Sequence, residues 1–150
     1  MTPSSWLLAL LLAFLVPDSW FLQPVIAFMN YLFKAGMYVY ALTMAVFGVQ
    51  HFMYAHNVAG MVPGWIPWPL FWAYLVGVAL IAAAISIAIN KYTTQACILL
   101  GIMIFLFVIL IDIPPIIKQA HVSAYITDAF KEASLGGCAF ILAGAKPGRV

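Results

Sequence analysis

The feature that most constrains this chain is the run from Leu70 to Ile89, which contains no charged residue. A helix needs about 20 predominantly apolar residues to cross the hydrocarbon core of a bilayer. The whole chain is 67% hydrophobic and only 7% charged, against about 25% charged residues in a typical soluble domain. Such a surface has too few charges to face water, and the sequence therefore predicts an all-α membrane protein.

Three further segments have the length and apolar character of membrane helices. The four expected helices cover 24–54, 70–89, 95–111 and 123–143. Within the first, residues 35–52 are the part expected to cross, and the third is expected to stop at Asp112 because Pro114 and Pro115 follow. Together these segments predict a membrane-spanning antiparallel four-helix bundle over residues 35–145, followed by a polar tail over 146–150.

The first two helices are joined by a segment without Lys, Arg, Asp or Glu. Residues 61–69 carry three prolines together with Trp65 and Trp68. Proline lacks a backbone N–H and does not fit a helix interior, and tryptophan is enriched where a membrane meets water. The segment is therefore expected to form a rigid, uncharged hairpin cap in the membrane interface, with His51 at its base.

Residues 1–34 form an apolar leader that is expected to lie in the membrane as an extra N-terminal helix. The run from Trp6 to Val16 is shorter than one span and is interrupted at Pro17. Three alternatives are open: an interfacial or re-entrant helix, a kinked fifth span through Phe28, or a cleaved signal peptide, although no basic residue precedes the run.

Small residues at four-residue spacing mark the expected helix contacts, because they let backbones approach closely. The rows are Ala41 with Ala45, the glycine and alanines from Gly77 to Ala88, and Ala129, Ala133 with Gly137. The two cysteines, Cys97 and Cys138, fall inside apolar runs and are expected to be core residues.

The basic residues predict the orientation of the chain. Lys34, Lys91, Lys146 and Arg149 share one side if four helices cross between them, whereas Lys118 lies on the other. By the positive-inside rule, the Lys91 loop and the C-terminus are cytoplasmic and the hairpin at 61–69 is outside. The lipid bilayer is therefore the first expected partner.

Four polar residues are expected to meet near the outer leaflet. His51 ends the first span, Asp112 ends the third, and Lys131 and Glu132 lie in the first turns of the fourth. Charged groups inside a span are costly, so they usually pair or serve a site. The expected pairs are Asp112 with Lys131 and Glu132 with His51, in one pocket. The structural alternatives are a helix-end role for Asp112, a Lys131 side chain that extends outward along its methylenes, and a packed imidazole at His51.

Several other chemistries are disfavoured. A haem would need histidines on facing helices, but His121 falls in a loop. The sequence has no cluster of His, Cys and carboxylate residues with the spacing of a metal site. A net charge of +2 is too small to indicate a nucleic-acid partner.

Four motifs together resemble the DoxX-like family of small bacterial integral membrane proteins. They are GVQHF at 48–52, VPGWIP at 62–67, FWAYLVG at 71–77 and TDAFKE at 127–132. The resemblance covers about residues 36–144. The third span ends in Asp112-Ile113-Pro114, where members of this type often carry His-x-Pro.

The resemblance implies a four-helix inner-membrane protein with a redox or respiratory role. The first hypothesis is an accessory, non-catalytic component of a membrane redox system, with partner subunits or a second copy, whose polar pocket holds a lipid or quinone. The alternatives are a quinone-reducing subunit of the thiosulfate:quinone type, with His51 as proton acceptor, and a small transporter.

Overall fold

The computed structural model describes residues 22–118 and 122–145. Most of the predicted leader, the polar tail at 146–150 and His121 lie outside these residues, and so does the choice among the three alternatives for the N-terminus. The chain divides into two compact units, Met1–Gly36 and Met37–Val150. The packing described below is that of the second unit.

The described residues are helical throughout, apart from short connections. The helices are α1 (Gln23–Met53), α2 (Ala55–Met61), α3 (Pro69–Ala88), α4 (Thr93–Phe107), α5 (Ile113–Ile117) and α6 (Val122–Gly144). A π-helical segment (Val108–Asp112) joins α4 to α5.

Within residues 22–118 and 122–145, three helices are long and apolar enough to cross a membrane: Gln23–Met53, Pro69–Ala88 and the continuous stretch Thr93–Ile117. All-α structure and membrane-length helices were both predicted from the sequence. Helix α6 has 23 residues, about 34 Å at 1.5 Å per residue. Its length is sufficient to cross, but Asp128, Lys131 and Glu132 make it more polar than the other three.

The predicted stop of the third helix at Asp112 is wrong. Pro114 and Pro115 do not end the helix; instead, α5 begins at Ile113 and accepts the prolines in its first turn, where no intrahelical N–H is required. The π-helical segment lies just before them. A wider π turn relieves the clash between a proline ring and the carbonyl four residues earlier, so the helical path continues past the prolines.

The hairpin between α1 and α3 contains a short helix, α2, that was not predicted. After α2, residues 62–68 are non-helical. Pro69 is the first residue of α3, a position that suits proline because no intrahelical N–H is needed there. Trp68 precedes it in the left-handed region, with φ 55°. Trp65 and Trp68 are 73% and 78% exposed, an arrangement that suits rings placed at a membrane surface.

Helices α1 and α3 run antiparallel in close contact. Gly48 faces Gly77, and the ring of Phe52 lies 5.7 Å from that of Tyr74. A Cβ atom added at Gly77 would lie 2.9 Å from Phe52 Cε2 and 3.2 Å from the backbone oxygen of Gly48. The two backbones therefore approach to a distance that only glycine allows.

Helices α4 and α6 also run antiparallel. Gly101 faces Phe140, Gly136 faces Phe105, and the two phenyl rings stack with centroids 5.7 Å apart. The predicted contact at Gly137 is wrong, since a Cβ there would meet nothing within 4 Å. The close approach occurs one residue earlier, about 100° around the helix.

One apolar core joins α1, α3, α4 and α6. Tyr40 of α1 donates a hydrogen bond of 2.9 Å to the backbone oxygen of Leu135 in α6. Ala41 is buried as expected, and so is Cys97, whereas Cys138 is exposed and the prediction that it lies in the core is wrong. The remaining core residues are Met37, Met44, Leu80, Ala83, Ala84, Ile87, Leu100, Ile104 and Ala139.

Candidate functional site

The candidate site lies where the π-helical segment packs against α6. Asp112 is the last residue of that segment and is only 3% exposed. Glu132 comes from the middle of α6 and is partly buried. Asp128 and Lys131 also lie on α6, within about one turn of Glu132.

Each of the two carboxyl groups has a buried oxygen without a hydrogen-bond partner among the described residues. These atoms are Asp112 Oδ2 and Glu132 Oε2. Buried polar atoms are nearly always hydrogen-bonded, so each such atom requires an explanation. Two of them on neighbouring elements indicate a place that is built to hold something else.

The local sequence explains why Asp112 has no partner. Asp112 directly precedes α5, and its backbone is helical (φ −85°, ψ −42°), because it lies inside the continuous stretch Thr93–Ile117. The next turn supplies few N–H groups, because Pro114 and Pro115 have none. Asp112 makes no side-chain cap hydrogen bond, and the helix-end role considered for it is therefore wrong.

The predicted pairing of Asp112 with Lys131 is also wrong. Lys131 Nζ lies 2.6 Å from Asp128 Oδ1, three residues earlier on the same helix. Both side chains are about half exposed, at 58% and 48%. Pairing with a partner one helical turn away has a smaller free-energy cost than pairing with a buried carboxylate on another element. The lysine side chain loses less conformational entropy and less of its hydration.

His51 does not belong with the two carboxyl groups. Its Nδ1 lies 2.8 Å from the backbone oxygen of Phe47. A carbonyl oxygen only accepts, so Nδ1 carries the proton and donates it. The His51 Cβ packs at Gly77 of α3, and no hydrogen bond joins its ring to Glu132 in the described part of the chain. The predicted His51–Glu132 pair is wrong because a carbonyl one turn back supplies the partner.

An apolar groove lies between α4 and Phe140 of α6. Its volume is about 390 Å³, and its lining is Ile102, Phe105, Leu106, Ile109 and Phe140. Neither carboxyl group lines it, although Ile109 and Asp112 belong to the same π-helical segment.

The groove was not predicted from the sequence. Its α4 residues recur at the three- and four-residue spacing of one helix face. Because α4 is apolar on every face, this spacing does not distinguish the groove face from the other faces of the helix. Asp128 was considered only for its interaction with the helix dipole, and its role as the partner of Lys131 was missed.

The fold and this site define a helical protein with membrane-length helices, two buried carboxyl oxygens without partners among the described residues, and an apolar groove. Comparisons with protein-family models, with characterised proteins and with solved structures find no match to the chain.

Proposed function

We propose that the chain is a DoxX-like integral membrane protein of a bacterial inner membrane. In this proposal α1, α3, α4 and α6 form a membrane-spanning antiparallel four-helix bundle. The antiparallel contacts of α1 with α3 and of α4 with α6, and the apolar core common to all four, support the bundle. The polar residues of α6 support membrane insertion of this helix only as a partner of the other three, because three charged residues facing lipid would be costly.

The proposed function is that of an accessory component of a membrane redox system that binds an isoprenoid quinone. The observation that carries it is that Asp112 and Glu132 each bury a carboxyl oxygen without a hydrogen-bond partner among the described residues, in a protein that also has an apolar groove along α4. A quinone has an apolar chain and a polar head with two oxygens. The groove suits the chain, and a carboxyl group can donate to a quinone oxygen or accept from a quinol hydroxyl.

An accessory role is favoured over a quinone-reducing enzyme. The enzyme hypothesis used His51 as the proton acceptor at the quinone, but His51 lies on α1 with its Cβ packed at Gly77 of α3, whereas both carboxyl groups lie on the π-helical segment and α6. The groove is lined by half-exposed apolar side chains of α4 and α6. Such an open groove favours exchange of a lipid-soluble molecule with the bilayer or with a partner subunit.

The test is the quinone content of the purified protein. The protein is extracted gently from membranes, and bound quinone is quantified by mass spectrometry against protein. We expect quinone in the native protein at a clear excess over its share of the co-extracted lipid, and at least a tenfold loss in D112N/E132Q. That loss corresponds to about 1.4 kcal/mol, within the range for the net contribution of one typical hydrogen bond.

Asp128→Asn is the matched control, because it removes a carboxylate from the same helix but only from the exposed ion pair. We expect its quinone content to equal that of the native protein. Equal quinone in all three proteins, at the level of the bulk lipid, would contradict the proposal.

A further inference from the structure

We propose that the Asp112 side chain is a proton-binding site, which holds its proton by donating it to the free backbone carbonyl of Ile109. The inference goes beyond the proposed function, because it concerns a proton and not the molecule in the groove. Either proposal can therefore fail without the other.

The first observation is a backbone carbonyl without a donor. The carbonyl of residue i accepts from the N–H of residue i+4 in an α turn, or of residue i+5 in a π turn. For Ile109 these donors would be Ile113 and Pro114. The Ile113 N–H donates to the Val108 oxygen instead, and proline has no N–H. The Ile109 carbonyl therefore has no donor in its own helix, and the same holds for Leu110, whose two possible donors are both prolines.

The surroundings make such a carbonyl costly. The π-helical segment belongs to the stretch Thr93–Ile117, which is long and apolar enough to cross a membrane. Lipid chains supply no hydrogen-bond donor. A carbonyl that a proline leaves free in such a helix has to be satisfied by a side chain, by water or by a neighbouring helix.

Asp112 is the polar side chain nearest to this carbonyl along the chain. It follows Ile109 by three residues, a spacing at which an aspartate side chain can bond a backbone carbonyl of its own helix. Asp112 is 3% exposed, and its Oδ2 has no hydrogen-bond partner among the described residues. A carboxylate and a carbonyl both only accept, so they cannot bond each other. One proton on the carboxyl group makes it a donor and satisfies the carbonyl.

The charges around Asp112 favour a proton over an ionised carboxylate. The elements packed against the π-helical segment are α4, α5 and α6, and α4 and α5 carry no charged residue. On this part of α6, Lys131 is already paired with Asp128, Glu132 would add a negative charge, and Tyr125 carries no positive one. Lys118, immediately after α5, is exposed. A buried carboxylate without a paired cation is strongly disfavoured.

A metal cation fits this place less well than a proton. Hard cations such as Ca²⁺ and Mg²⁺ take about six or more oxygen ligands. The π-helical segment offers one carboxyl group and the free carbonyls of Ile109 and Leu110. Asp112 does not line the apolar groove. A proton needs only one donor oxygen and one acceptor oxygen.

The first experiment is infrared spectroscopy of the purified full chain in lipid nanodiscs. The C=O stretch of a protonated carboxyl group is separate from the stretches of an ionised carboxylate. We expect a protonated-carboxyl band at neutral pH that moves when aspartate alone is labelled with ¹³C at its side-chain carboxyl carbon. The band should be absent from Asp112→Asn and present in the matched controls Asp128→Asn and Glu132→Gln.

The second experiment tests the donor role by comparing Asp112→Asn with Asp112→Leu. Both remove the carboxyl group and have similar size, but only the asparagine amide can donate to the Ile109 carbonyl. We expect Asp112→Leu to unfold at a lower concentration of denaturing detergent, with a folding equilibrium constant about tenfold smaller, the equivalent of one hydrogen bond. If Asp112 had no acceptor to serve, leucine would be the more stable replacement, because it buries no polar group.

Three results would overturn the proton site: no aspartate band at neutral pH, a band that Asp112→Asn keeps, or an Asp112→Leu variant at least as stable as Asp112→Asn. Loss of the band when sodium is added at constant pH would also overturn it and assign the site to a cation. The expected band in a protein without bound quinone would keep the proton site and reject the quinone. Bound quinone without the band would do the reverse.

Discussion

Gly77 is the position where one added methyl group should disturb the protein most. In Gly77→Ala the new Cβ lies 2.9 Å from Phe52 Cε2, 3.1 Å from His51 Cβ and 3.2 Å from the backbone oxygen of Gly48. The phenyl ring can rotate away, but the other two atoms move only if α1 moves. Overpacking of this kind costs about 1–3 kcal/mol.

Gly137→Ala is the matched control. It makes the same chemical change in the interior of another long helix, but nothing lies within 4 Å of its new Cβ. Both variants gain about 1 kcal/mol from the higher helix propensity of alanine. The difference between them therefore isolates the packing cost, and we expect Gly77→Ala to be less stable than Gly137→Ala by about 1–3 kcal/mol.

The assay is reversible unfolding of the full chain in mixed micelles as the denaturing detergent is increased, followed by circular dichroism. The two variants share a denatured state, so the shift between their midpoints reports the folded state. Equal midpoints would refute the close approach of α1 and α3. A less stable Gly137→Ala would show that α6 packs through Gly137 after all.

Three other predictions concern orientation, a helix contact and the exposed ion pair. In a cysteine-free background, we expect a cysteine at Gly60 but not one at Lys91 to react with an impermeant maleimide in intact cells; the reverse pattern would refute the topology. Tyr40→Phe removes the hydrogen bond to Leu135 and should lower the unfolding free energy by about 0.5–1.5 kcal/mol. An unchanged midpoint of detergent unfolding would contradict this prediction. Asp128→Asn breaks only an exposed pair and should change the unfolding free energy by less than about 1 kcal/mol; a larger loss in the same assay would show that the pair is structural.

The helices and their lengths follow from the sequence, because length and apolar character measure distance along a helix axis. The ends of α3 and α6 fall within one residue of the predicted positions. The rotation of a helix about its axis does not follow in the same way. Adjacent residues differ by 100°, and in a helix that is apolar on all sides no polar face fixes the angle. This is why Gly137 was expected at a contact that Gly136 makes.

The pairing of the polar residues failed for a related reason. Similar depth was taken as a reason to pair Lys131 with Asp112 and Glu132 with His51. Local geometry determined both outcomes, since Lys131 reaches Asp128 one turn away and His51 reaches the Phe47 carbonyl one turn back. The significance of Pro114 and Pro115 was missed as well. They were taken as a stop signal, whereas the helical path continues through them.

The most direct test of the central claim is to locate a quinone on the chain. A photoreactive isoprenoid quinone is added to the purified protein in lipid nanodiscs, irradiated, and mapped by mass spectrometry, with a photoreactive alkyl lipid as the control probe. The account predicts that quinone crosslinks concentrate on 102–112 and 132–140, and that unlabelled quinone removes them while excess lipid does not. Crosslinks spread over all lipid-facing helices, or competed equally by lipid, would contradict it.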